Sequence, residues 1–355
     1  MMRAPVLATA AMLVVSLADG VAAQAPSPFA TSPFEFYLDL LRQQAGIPAI
    51  SAAIVQNGDI VWERGLGFQN VEDRIRATPD TPYPIANLSE TLAATLLLEC
   101  MEERRLALDD RASQYGVSLP EQGATIRQIL NHTSAATSGN GFHYDPSRFD
   151  QLTHVVERCV PQPYRKTLAV RLLERLAMKD SVPGRDVQGA AIVAQNLFAE
   201  SVHGRYRDVI ERVAVPYKVD KKGRATRAPE DRDGGVSASG GVISTVRDLA
   251  RFDAALDVLL RDDTLETAWT NGVGRDRSAV PAGLAWFVQR YNGHDVVWHF
   301  GLSPDGYSSL ILKVPAKDLT LILLANSDGL SSSFDLPLGD VTKSLFAILF
   351  LRLFV

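Results

Sequence analysis

The stretch from Tyr83 to Asp110, YPIANLSETLAATLLLECMEERRLALDD, constrains the fold more than any other part of the chain. After Pro82, a short extended lead-in from Tyr83 to Ala86 meets Asn87. From there Leu88, Leu92, Thr95, Leu96, Leu98, Cys100 and Met101 leave almost no polar face until Glu102, which predicts a helix buried on most sides. A helix buried that deeply supports the structure around it. Its first turn, Asn87-Leu-Ser-Glu90, fits a capping box. In that motif a side-chain oxygen at the first position accepts a backbone N–H while the glutamate reaches back, and this suffices for the local structure.

Ahead of this stretch, Met1 to Ala25 carries Arg3, an apolar run from Ala8 to Leu17 and the small residues Val21, Ala23 and Ala25. That pattern reads as a secretory signal peptide, cleaved after Ala23, and its apolar run is shorter than the roughly 20 residues a membrane span needs. A mature chain of about 330 residues makes one large domain or two intimately packed ones. With 22% charged residues and a net charge of −5, nothing points to nucleic acid. The only cysteines, Cys100 and Cys159, both sit in helical patterns. There is no disulfide framework, and two separately buried thiols are expected, with pairing left to an oxidising compartment and to adjacency in the fold.

Phe34 to Gln44 reads as a helix stopped by Gly46 and Pro48. Ala49 to Val55 and Ile60 to Phe68 are apolar strands joined by Gln56-Asn-Gly-Asp59, a strong hairpin signal. Thr125 caps a helix ending at His132, a residue that reads as a structural cap holding a loop, and another helix is expected from Asp150 to Cys159. Val187 to Asp233, broken by Pro216, Lys221-Lys-Gly223 and Pro229, reads as surface excursions. The last third is strand-rich, with Gly283–Tyr291, Asp295–His299, Tyr307–Val314 and Leu319–Ala325 forming an antiparallel meander. Leu319 to Leu324 is apolar enough for a central strand covered on both faces, and Ser344 to Val355 reads as a closing helix. No histidines pair at metal-ligand spacing, and neither HExxH nor a Gly-rich phosphate loop is present.

Several of these words, in this order, resemble the class C β-lactamase and penicillin-binding-protein-like serine hydrolases. Gly46-Ile-Pro48 and Gly65-Leu-Gly67 match the family's opening strands, and Thr125-Ile-Arg-Gln-Ile-Leu-Asn-His-Thr-Ser134 matches its T-I-R-x-L-L-x-H-T-S. Lys166 to Gly184 looks like its R-x-L-x-E-x-L-x-x-L-G-M-x-D-T, with Ala177 where the family has glycine. Gly235 to Leu256 resembles A-G-G-L-x-S-T-x-x-D-L-A-R-F. Tyr83-Pro-Ile-Ala86 and Leu106-Ala-Leu-Asp-Asp110 frame the helix as the family does, but between them the catalytic S-x-x-K is replaced: Asn87 stands at the nucleophile and Glu90 at the lysine. Residues three apart on a helix share a face, which sets the amine beside the hydroxyl it deprotonates. No lysine of the chain has a serine or threonine three residues before it. Ser237 and Ser239 lack the last glycine of an esterase G-x-S-x-G and no strand leads into them.

By the same resemblance Tyr144 matches the tyrosine of Y-x-N while Pro146 replaces its asparagine, and Trp298-His-Phe-Gly301 takes the place of the K/H-T-G strand. There His299 and Gly301 match and Phe300 replaces the hydroxyl residue that helps bind a substrate carboxylate. The implied fold is α/β (α+β) and β-lactamase/transpeptidase-like, an antiparallel sheet flanked by helices with an inserted, mainly helical lobe. Residues 27–86 and 235–355 would make the sheet lobe and 87–234 the helical one, after a signal peptide over 1–23. The implied site positions are Asn87, Glu90, Tyr144 and His299 for catalysis and Pro146, Phe300 and Gly301 for substrate, with no cofactor and no metal. The resemblance leaves two functions open. One is an exported, periplasmic or secreted protein that keeps a cleft for a small or peptide ligand, cell-wall fragments among the candidates, without acylation chemistry. The other is an active hydrolase in which Glu90 is the general base for a water and Asn87 a polar orienter.

Overall fold

The structure, a computed structural model, describes residues 28–135, 139–230 and 234–355, so the expected leader lies outside the described residues. Asn57 and Gly58 have φ of 52° and 79°, the left-handed pair that a two-residue hairpin turn requires. They join β1 (Ala49–Gln56) to β2 (Asp59–Asn70), which pair antiparallel with Gln56 opposite Asp59. β3 (Ile75–Arg76) edges β2. From the last third come β4 (Phe287–Tyr291), β5 (His294–Ser303), β6 (Tyr307–Val314) and β7 (Leu319–Ala325). The sheet order is β3-β2-β1-β7-β6-β5-β4. β7 is thus the middle strand, buried along its whole length, as its apolar run predicts. It pairs with β1 across nearly the whole chain, and the Ala49 N–H donates to Asn326 Oδ1 at 2.8 Å beside that seam.

Among the described residues, helices that cover this sheet or lead to the site include α1 (Pro28–Gln44), α2 (Ser89–Glu102), α3 (Ile126–Leu130), α4 (Pro146–Asp150), α5 (Leu152–Cys159), α6 (Val246–Ala254) and α7 (Leu345–Phe354). Period-2 alternation along the strands divides their side chains between two cores. Ile54, Leu312, Leu321 and Leu323 pack with Phe34 of α1 and Phe350 of α7. Val55, Ile311 and Ile322 join Leu92 and Leu96 of α2 and Phe252 of α6 on the opposite face. Leu88, Leu92, Leu96, Leu97 and Leu98 are all buried, each contributing about 2 kcal/mol of apolar burial. The helix is enclosed as its sequence predicts.

Thr125 caps α3 in a full capping box with Gln128, and Thr245 accepts the Asp248 N–H at the start of α6. Three expectations need correction. The helix expected from Asp150 to Cys159 is divided at Gln151 into α4 and α5, α4 beginning on Pro146 behind an Asp145 cap. The segment after Val187 is more than surface excursions: Val187, Phe198, Tyr206 and Val209, with Val182 and Ile243, bury a third small core under the helix Glu200–Glu211. Cys100 of α2 and Cys159 of α5 form a disulfide rather than two separate thiols, because these helices pack together and bring the Cα atoms to 6.3 Å. Ala177, at the family's glycine, has a left-handed φ of 53°. That conformation strains an alanine and suits a glycine.

The disulfide closes a loop over a sequence separation of 59. Replacing Cys100 and Cys159 together by serine is expected to lower unfolding stability by about 2–4 kcal/mol, read as a lower urea midpoint with far-ultraviolet dichroism unchanged.

Candidate functional site

The approach to α2 is built by two strands and one glycine. Tyr83–Pro84 pairs with Val242–Ser244, and the buried Tyr83 hydroxyl bonds Ser51 Oγ of β1 at 2.9 Å. Ile85 donates its N–H to the Val242 carbonyl, Ala86 turns through a φ of 49°, and one 3-10 turn, Ala86–Leu88, leads into α2. On the other side runs β5. A Cβ on Gly301 would lie 2.2 Å from the Ile85 carbonyl oxygen and 2.3 Å from Ser309 Oγ, which itself donates to that carbonyl at 2.8 Å. Only glycine lets the strand come this close to the foot of the helix.

The capping box expected at Asn87 is absent. α2 has Leu88 at its N-cap and no side-chain cap bond. Asn87 donates through Nδ2 to the Ser239 carbonyl at 3.1 Å, and Ser239 Oγ donates to Asp150 Oδ1 at 2.9 Å. Glu90 turns inward instead of back. Its Oε2 lies 3.2 Å from His299 Nε2 and 3.4 Å from His132 Nε2, while Tyr144 Oη donates to Oε1 at 3.5 Å. A carboxylate taken out of water gains more from two imidazoles and a phenol than from one backbone N–H, and the positive end of α2 adds to that preference.

The hydrogen bonds of each imidazole fix its tautomer. His299 Nδ1 faces the Phe300 carbonyl at 2.8 Å, and a carbonyl only accepts, so Nδ1 carries a proton. Its Nε2 then faces Glu90 Oε2, the two heavy atoms close enough to share one proton. His132 is the reverse case: its Nδ1 accepts the Asp145 N–H at 3.4 Å, which leaves the ring proton on Nε2, toward Glu90. Burial alone pushes the Glu90 carboxyl up, but the hydrogen bonds and charge of His132 and His299 outweigh it and hold the group below its ordinary value of 4.5. Burial and the Glu90 charge push the Tyr144 phenol well up, so it stays a donor.

Of the residues singled out in the sequence, Glu90, Tyr144 and His299 therefore meet, and Asn87 stands three positions before Glu90 with its amide engaged elsewhere. Glu90 and His299 are both 0% exposed. Phe300 points to the other face of β5, among Trp298, Phe287 and Tyr144, as strand alternation requires once His299 faces α2. Pro146 serves as the first residue of α4. His132 joins the cluster as well as holding its loop, a role its position in Asn131-His-Thr-Ser134 signalled only as a cap. Its left-handed φ of 55° turns the ring inward at the end of α3. No group of metal-ligating side chains occurs among the described residues. The arrangement holds a charge and a shared proton; among its side chains none is an activated nucleophile.

A family description, Beta-lactamase, matches residues 37–339. Protein flp of Staphylococcus aureus (strain MW2) is 22% identical over 328 residues, covering 80% of this chain and 60% of that protein. Penicillin-binding protein 4* of Bacillus subtilis (strain 168) is 22% identical over 302 residues, covering 77% of this chain and 67% of that protein. The chain thus spans about three fifths of the flp protein. Among solved structures, an octameric penicillin-binding protein homologue from Pyrococcus abyssi shares the fold with a TM-score of 0.69 at 22% identity, over 84% of this chain and 74% of that one.

A carboxylate held below its unfolded value adds stability above about pH 4.5 and loses it as the pH falls through the folded value. Glu90→Gln is expected to cost about 1–2 kcal/mol near pH 6, since an amide N–H would oppose the His132 N–H. Urea titrations of both proteins are expected to converge as the pH drops below 4.5, the ordinary value of the group.

Proposed function

The chain belongs to the Beta-lactamase family, and on that premise we propose that it is an exported, catalytically degenerate member that keeps the hydrolase cleft for binding. The observation that supports this most directly is the fate of the two key positions. Asn87 has no alkoxide to offer and spends its amide on the Ser239 carbonyl, and Glu90 is enclosed by His132, His299 and Tyr144 where a lysine would have activated a serine. Acylation by the family's route needs both residues. What survives is the frame: Gly301 against Ile85, the N-terminus of α2, and backbone donors indifferent to side-chain replacement. A small or peptide ligand offering a carbonyl or carboxylate suits such a place, and a cell-wall fragment is one such ligand.

Residues 27–86 and 235–355 act as the sheet lobe and 87–234 as the helical lobe, with the ligand between them. Export rests on the leader pattern of residues 1–23 and agrees with the Cys100–Cys159 disulfide, which persists in an oxidising compartment. No helix of the described residues is long and apolar enough to cross a membrane.

A second reading, Glu90 as general base for a water, draws on one observation: Glu90 faces Tyr144 rather than its own backbone. Two others oppose it. A base needs access to water, and a carboxylate held below its ordinary value is a weaker base.

The readings separate in one assay, hydrolysis of a short-chain p-nitrophenyl ester and a chromogenic cephalosporin. Wild type is expected to be inert, and Asn87→Ser/Glu90→Lys to gain measurable ester turnover. His299 already presents the tautomer whose Nε2 can accept from a lysine ammonium. Wild-type turnover abolished by Glu90→Gln would replace the degenerate reading with the general-base one.

A further inference from the structure

We infer that a cavity at the hairpin end of the sheet binds an aliphatic chain carrying two or more ammonium groups, as a polyamine does. Asp253 and Trp269 lie at its depth and Asp262, Glu266 and Asp318 at its mouth. None of Asn87, Glu90, Tyr144 and His299 lines it, so this site stands apart from the cleft and from the function read there.

The cavity holds about 820 Å³, inside the range of about 300–1,000 Å³ common for small-molecule sites. Its walls come from the turn Asn57-Gly58, the end of α6, the short helix Asp262–Ala268, the start of β5, the end of β6 and the start of β7. Leu256, Leu265 and Val297 make its depth apolar beside the Trp269 ring.

The sign of the ligand follows from what the walls have left over. Lys313 is the only basic side chain lining the cavity, and its charge is already spent. Buried, its ammonium donates to Asp253 Oδ1 and to Thr320 Oγ1 at 3.2 Å, and it lies 5.7 Å from the centroid of the Trp269 ring. Asp253 is 6% exposed yet uses only that one oxygen; its Oδ2 accepts no hydrogen bond from the described residues. A carboxylate oxygen so enclosed is costly without a donor, and a cation entering the cavity supplies one. Further out, Asp257, Asp262, Glu266 and Asp318 are exposed, and among the described residues none of them has an ion-pair partner. Asp295 lies 3.6 Å from Arg290.

These carboxylates ring an opening without converging. No group of side chains able to hold a metal ion occurs among the described residues, and a hard cation needs several oxygens together at about 2.3–2.6 Å. A chain of ammonium groups separated by methylenes fits the spread instead. One ammonium reaches Asp253 Oδ2 beside the Trp269 ring, the methylenes lie against Leu265, and the next ammonium meets the mouth.

Equilibrium dialysis of the purified protein against labelled spermidine, at about 0.15 M salt to screen loose attraction, is expected to show one saturable site. Asp262→Asn/Glu266→Gln, two exposed positions at the mouth, is expected to weaken it about three- to tenfold. Asp208→Asn/Glu211→Gln makes the same change of net charge on the exposed side of the helix Glu200–Glu211 and is expected to leave it unchanged. Trp269→Leu, which removes the ring, is expected to weaken it by a similar factor to the mouth variant. Uptake without saturation, no uptake, or equal weakening by the two double variants overturns the site; the mouth variants alone decide should Trp269→Leu not fold. Lysine side chains of a peptide share this chemistry, and competition separates the sources. Displacement of spermidine by acetyl-Lys-Lys-amide at a lower concentration than by 1,4-diaminobutane assigns the site to a peptide, and the reverse order assigns it to a free amine.

Discussion

The structure depends on one ionised carboxylate far from water. An unpaired charge at Glu90 would cost several kcal/mol, so everything around it is arranged to prevent that. The first turn of α2 supplies its dipole, β5 supplies His299, the end of α3 supplies His132 and the following loop supplies Tyr144. Four separate stretches of chain are thereby held to one point. The lysine of the parent motif would make the same point positive. With a carboxylate there instead, the tyrosine and both histidines surround and satisfy a negative charge.

The frame of the fold was legible because it is written in local signals. Asn57-Gly58 forces the first hairpin, Thr125 with Gln128 starts α3, and the uninterrupted apolar run of Leu319 to Leu324 puts β7 in the middle of the sheet. The site was legible in part. Its positions followed from motif order, yet the reading of Asn87 and Glu90 as a capping box failed because a local rule competes with tertiary partners it cannot see. His299 lies 209 residues from Glu90 in sequence, and its imidazole offers more to a buried carboxylate than a nearby N–H does. The disulfide was hidden for a similar reason, since cysteine spacing says nothing about which helices pack. The third core around Tyr206 was hidden by polar punctuation, which marks where a chain turns and not whether it turns back onto itself.

The frame and the reactive groups of such a site are separable because they use different atoms. Gly301 contributes by having no side chain, and Ile85 and Val242 by their backbones. Such contacts survive most substitutions. The reactive groups of the family are side chains, exchangeable one at a time without disturbing the strands beneath them. A chain of this kind can shed its chemistry and keep its shape.

The seam between β1 and β7 has a consequence in time. Ala49 and Asn326 are bonded partners 277 residues apart. During synthesis, at about 5–20 residues per second, the apolar first hairpin therefore waits some tens of seconds for the strand that completes its sheet. Long-range pairing of this kind is slow in any chain, and here the missing partner is the central strand rather than an edge. Until that strand arrives, the hairpin presents an unpaired edge where the centre of the sheet will be, the interval in which a chain of this topology is most open to wrong pairing.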